Sequence, residues 1–116
     1  MAGDDRPPAE GPGFACRVES DRGAVRVRVA GDLDIETVAR VHARLDELRA
    51  AGGDRFVLDL GGTRFVDSAG LELAVLWHRR SLRERFGFAL VPGPPAVHRA
   101  FEAAGLVGRL RFIDPD

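Results

Sequence analysis

The apolar residues of this chain change their period twice between residues 24 and 60, and few folds accommodate such a change. Over residues 24–30, Val25, Val27 and Val29 alternate with Arg26 and Arg28, the period of two that marks a strand with one wet face. Gly31-Asp32-Leu33-Asp34 breaks the alternation, and Asp34 or Thr37 can cap a helix beginning just after it. Val38, Val41, Leu45 and Leu48 then recur every three or four residues, one apolar stripe along that helix, and Gly52-Gly53 ends it. Residues 55–60 (RFVLDL) form a short apolar run containing one Asp, and between two helices this reads as a buried parallel strand. Strand, helix and parallel strand in that order form a right-handed crossover.

The rest of the chain extends this unit. Residues 14–19 form a short candidate strand and Ser20-Asp21-Arg22-Gly23 a turn, so a hairpin precedes the crossover. Residues 61–66 read as a loop whose Phe65-Val66 tucks back under the core. A second helix is expected from about Ser68 to Arg85; its first half is apolar nearly all round, which predicts the best-buried helix. Residues 86–91 read as another parallel strand, and Pro92-Gly93-Pro94-Pro95 as a firm break. Pro94 or Pro95 can open a last helix with Val97, Phe101 and Ala104 on its apolar face, and Gly105 closes it. Residues 110–113 complete the order β-β-α-β-α-β-α-β. The expected fold is α/β: a mixed open sheet with helices mainly on one face, because Arg26 and Arg28 keep the other face wet.

Of the 116 residues, 1–13 carry three of the seven prolines and no large apolar residue after Met1, so they read as a flexible tail before a single domain at 14–116. The formal net charge of −1 gives no basic excess for direct nucleic-acid binding. All 17 basic residues are arginine, a bias of composition and not of function. Cys16, the one cysteine, cannot form an internal disulfide, and no apolar run reaches the ~18–20 residues needed to span a bilayer. The N-terminus has prolines and acids where a signal peptide needs an apolar stretch. A soluble cytoplasmic protein is expected.

Partners of open α/β sheets bind outside the carboxyl ends of the strands. If both crossovers are parallel, the loops carrying Asp32, Asp34, Asp67 and Ser68 lie on one sheet edge. Ser68 stands at the entry to the second helix. It can be an N-cap, or a phosphorylation site, since a helix N-terminus tolerates an added anion; the two readings are compatible.

Three segments, VRVAGDLDIETV, RFVLDLGGTRFVDSAGL and PGPPAVHRAFEAAGL, occur in this order and together resemble a STAS domain of the anti-sigma-factor antagonist type. The resemblance spans about residues 14–113, and Asp67-Ser68-x-Gly70-Leu71 is its most specific piece. It implies partner switching: the unphosphorylated antagonist binds an anti-sigma factor that is itself an ATP-dependent serine kinase, and so frees the sigma factor. The kinase phosphorylates the serine after the Asp, here Ser68; the phosphoprotein lets go, and a PP2C-like phosphatase resets it. Partner-binding residues carried over by the resemblance are Asp32, Asp34, Asp67, Ser68, Ala69, Gly70 and Glu72. Two positions depart from the pattern: Ala69 stands where many relatives have Ser or Thr, and Glu72 replaces a small residue. The alternative is a constitutive scaffold subunit of another complex, such as a transporter ATPase, in which Ser68 is only a cap.

Other constellations have less support. Ser68 does not sit in G-x-S-x-G, and His42, His78 and His98 lack ligand spacing, so neither a catalytic nor a metal site is expected. His42 reads as a surface residue. Gly61-Gly62-Thr63 lacks the Lys and spacing of a P-loop, and no cofactor is expected. Arg79, Arg80, Arg83 and Arg85 read as a solvated helix end, with Arg80–Glu84 a weak i,i+4 pair. Asp59, inside a strand, either bonds loop N–H groups or lies at a strand edge. Weak homodimerisation is left open. The chain reads as a binding protein, not an enzyme.

Overall fold

The period-two segment forms β3 (Ala24–Leu33), which lies between an antiparallel and a parallel neighbour. The computed structural model describes residues 10–11 and 13–115; the expectation of a flexible tail falls mostly on 1–9 and 12, outside the described residues. Within the expected tail, Glu10–Gly11 forms a two-residue strand, β1, paired antiparallel with β2 (Phe14–Asp21). The β2–β3 hairpin closes at the Asp21–Ala24 pair through Arg22 (φ 56°) and Gly23 (φ 85°), two left-handed residues that suit the twist of a two-residue hairpin loop. Helix α1 (Val38–Ala50), strand β4 (Arg55–Val66), helix α2 (Ser68–Glu84), strand β5 (Gly87–Val91) and helix α3 (Pro95–Ala103) complete the chain order. The sheet runs β1-β2-β3-β4-β5, with β3–β4 and β4–β5 parallel. Both crossovers are therefore parallel, and the sheet is mixed, as the sequence pattern implies.

All three helices cover one face of the sheet. Val27, Val29, Phe56, Leu58, Leu60, Phe88 and Leu90 point into one core with Val41 and Leu45 of α1, Leu73 and Trp77 of α2, and Val97 and Phe101 of α3. Trp77 is fully buried against Phe56, Phe86 and Phe88, and its indole N–H donates to His42 Nδ1 at 3.0 Å. His42 thus satisfies a buried donor and is not the plain surface residue expected of it. The lone thiol, Cys16, lies in the same core, and burial pushes its pKa up.

Three expectations need correction. Residues 61–66 are not a loop: β4 runs on to Val66, because two shifts in register against β3, after Arg28 and after Gly31, keep the strands paired until Leu33 meets Val66. Gly31 makes this possible, since its φ of 103° suits glycine and a Cβ there would collide with the Gly13 carbonyl. Val66 is buried, but Phe65 points the other way and is 52% exposed. The expected last strand shrinks to a single parallel bridge between Leu90 and Phe112, beside β5.

The third correction concerns the wet face. Arg26 is only 6% exposed, because its Nη1 donates to Asp59 Oδ2 at 2.8 Å and its Nη2 to Asp21 at 3.2 Å. The hydrogen bond to Asp59 raises the Arg26 pKa against the opposing effect of burial. Asp59 Oδ1 also accepts the Gly61 N–H at 2.9 Å. The charge within the apolar run is therefore the counter-ion of its neighbour strand, as well as a support for the chain at Gly61.

Candidate functional site

The register pair Leu33–Val66 brings two loops to one edge of the sheet. Asp32 and Asp34 flank Leu33; Asp67 and Ser68 come directly after Val66. The loops are bonded directly, since the Asp67 N–H donates to the Leu33 carbonyl and the Ile35 N–H to Asp67 Oδ2, each at 3.3 Å.

Asp67, not Ser68, is the N-cap of α2. Its backbone is extended, and Oδ1 accepts the N–H groups of Ala69 at 2.9 Å and Gly70 at 3.3 Å. The serine-cap reading is thus corrected, for a simple reason: the aspartate one residue earlier already occupies the place. Ser68 becomes the first helical residue. It is exposed, and its hydroxyl has no hydrogen-bond partner among the described residues.

The other acids are less free than their spacing suggests. Asp34 Oδ1 accepts from the N–H groups of Glu36 at 2.9 Å and Thr37 at 3.1 Å, so its carboxylate holds the turn that leads into α1. Thr37 occupies the N-cap position itself, and its hydroxyl donates to the Asp32 carbonyl at 2.7 Å. Asp32 faces Arg64, with Nε 3.2 Å from Oδ1.

Gly70 is buried. A Cβ there would come within 2.5 Å of Val66 Cγ2 and 2.8 Å of the Leu33 carbonyl, so glycine lets the first turn of α2 press on the strand pair. Ala69 is half-buried and Glu72 exposed. Surface at this edge comes from Glu36, Arg64, Ser68, Glu72 and two apolar residues that pattern reading missed: Ile35, 77% exposed, and Phe65. Ile35 was detectable as an apolar residue in a polar turn and off the α1 stripe. Phe65 was hidden by the assumption of a loop.

Arg80, in the basic end of α2, is engaged: it bonds Asp46 at 2.8 Å and Glu84 at 3.1 Å, and lies 4.5 Å from the Trp77 ring centroid. Among the described residues no group of three His, Cys, Asp or Glu side chains could hold a metal, and no helix is long and apolar enough to cross a membrane.

Known proteins resemble this chain in sequence and in fold. A family model described as the Mlab STAS domain matches residues 16–113. An anti-sigma F factor antagonist from Paenibacillus polymyxa is 32% identical over 99 residues, covering 84% of each chain. Among solved structures, an anti-sigma factor antagonist from Mycobacterium paratuberculosis superposes with a TM-score of 0.76 at 24% identity, over 96% of this chain and 90% of that one. The Bacillus cell fate determinant SpoIIAA in its phosphorylated form gives 0.68 at 23% identity, over 88% and 92%. These two structures share the fold; the family model and the Paenibacillus relative carry the family assignment. The chain belongs to the STAS domain family.

Proposed function

We propose that this protein is an anti-sigma factor antagonist whose binding is switched at Ser68. The observation that carries the reading is the state of Ser68: an exposed hydroxyl without a partner among the described residues, on the first residue of α2, beside a carboxylate already committed to the cap. The similarity to the Paenibacillus antagonist supports the same reading. In the unphosphorylated state, Ile35 and Phe65 offer an apolar surface and Ser68 its hydroxyl, with the Glu72 carboxylate alongside, to an anti-sigma serine kinase in the cytoplasm, which then releases its sigma factor. The kinase transfers the γ-phosphoryl group of ATP to Ser68 Oγ, and a PP2C-like phosphatase hydrolyses it off.

Charge then separates the partners. A phosphate adds about −1.5 to −2 charges. Asp67 already takes the Ala69 and Gly70 N–H groups, which leaves fewer donors at the helix end to bond the phosphate and more of its charge toward the partner. Asp67 adjoins it and Glu72 lies about one helical turn away; Asp32 and Asp34 contribute less to the repulsion, being held by Arg64 and by their own turn. A thousandfold loss of affinity requires only about 4 kcal/mol.

The test is site mapping. Incubation with the cognate kinase and ATP should place one phosphate on Ser68 by tandem mass spectrometry and none on Ser68→Ala. Equal labelling of Ser68→Ala would refute the site. Binding without any labelling of the wild type would instead mark a constitutive scaffold subunit.

A further inference from the structure

One apolar surface begins beside the Ser68 edge and runs along α2 away from it. Helix α2 turns Leu73, Ala74, Trp77 and Ser81 toward the core. Leu71, Val75, His78 and Leu82, at intervals of four, three and four, form a second stripe, in which Leu71 and Val75 are half-buried at the margin of the core and Leu82 is exposed. Leu106, after α3, stands beside this stripe, and two adjoining concavities share Val75, Arg79 and Leu106 as walls. Leu76 and Leu82, in those walls, are 48% and 68% exposed. The groove runs along α2 from Ala69 to Leu82, about 20 Å at ~1.5 Å per residue.

The charged groups along it are unevenly placed. Glu72 stands at the end nearer Ser68. Arg79 and Arg109 flank the rest, and neither has an ion-pair partner among the described residues. We infer that this groove docks an amphipathic helix of a partner protein, with the helix's apolar stripe on Leu71, Val75 and Leu82 and acidic side chains against Arg79 and Arg109. That is helix-in-groove recognition. The docking extends past the Ser68 edge: Ala69 to Glu72 adjoin Ser68, whereas Arg79 and Leu82 lie about 17 Å and 21 Å along the helix from it, some two Debye lengths of ~8 Å or more at physiological salt.

The test uses two labelled helical peptides with leucines at matching spacing, one flanked by glutamates and its twin by lysines, titrated against the full chain. The glutamate peptide should bind about tenfold tighter, with methyl NMR shifts at Leu71, Val75 and Leu82. Arg79→Glu with Arg109→Glu should invert the preference. Leu82→Glu, at an exposed position that leaves the fold intact, should weaken binding about tenfold. Ser68→Asp should change it less than about twofold, so the failure of the Ser68 reading would leave these results standing. Equal affinity for the twins, no binding of either, shifts confined to Ile35 and Phe65, loss of binding in Ser68→Asp, or dimerisation through this groove in sedimentation would overturn the inference.

Discussion

Replacing Asp67 by alanine tests how the Ser68 edge is built. The carboxylate accepts three backbone N–H groups, two from the first turn of α2 and one from Ile35 across the strand pair. Loss of an N-cap costs about 1 kcal/mol. Loss of a negative charge at a helix N-terminus costs about 0.5 kcal/mol more, and the exposed bond to Ile35 adds a few tenths at its long distance. The expected total is about 2 kcal/mol, or roughly 8 °C in Tm for a domain of this size. Asp67→Asn keeps a good cap and loses only the charge, so about 0.5 kcal/mol is expected. Urea denaturation with a constant m-value measures both, and faster amide exchange at Ala69, Gly70 and Ile35 localises the loss. If Asp67→Ala stays within about 0.5 kcal/mol of wild type, or costs no more than Asp67→Asn, the capping account is refuted.

Neighbouring positions should separate packing from surface. Gly70→Ala forces a Cβ onto Val66 and the Leu33 carbonyl and should cost about 1–3 kcal/mol in denaturation, whereas Ser68→Ala, at an exposed first helical residue, should stay within about 0.5 kcal/mol; the reverse order would place the helix wrongly. Arg26→Ala leaves Asp59 buried without its 2.8 Å partner and should cost about 3 kcal/mol; a loss below about 1 kcal/mol would mean that the open sheet face is wetter than described. Asp46 is held below its ordinary pKa of 3.8, chiefly by its hydrogen bond to Arg80. A depressed carboxyl stabilises the fold above its unfolded pKa, and that contribution fades as pH falls through the lower folded value. The stability of Asp46→Asn should therefore converge on wild type in strong acid at low salt, and a constant gap would contradict the pairing.

How much of this was legible in the sequence depends on which signals are local. The two changes of apolar period carry the β-α-β unit, and α1 and α2 lie where the stripes place them, because burial on one helix face requires that spacing. Asp67 and Ser68 reach the carboxyl edge of the sheet for the same reason, as a consequence of parallel crossovers. What local pattern does not carry is pairing between strands. The Arg26–Asp59 bond joins residues 33 apart, so Arg26 looked solvated when read along its own strand. The extension of β4 past Gly61-Gly62 depends on register shifts that only β3 supplies, which also reversed the placing of Phe65. At the site, Asp67 and Ser68 compete for the same capping place, and composition alone does not say which backbone is extended. His42 looked superficial because its role is set by Trp77, 35 residues away.

The central claim is that one phosphate on Ser68 ends binding to the anti-sigma kinase. The direct measurement is the calorimetric affinity of the kinase for the unmodified chain, for the chain phosphorylated at Ser68, and for Ser68→Asp. A loss of about a thousandfold on phosphorylation, with a smaller loss for the aspartate that carries less charge, is predicted. Equal affinity of the phosphorylated and unmodified chains would contradict the account.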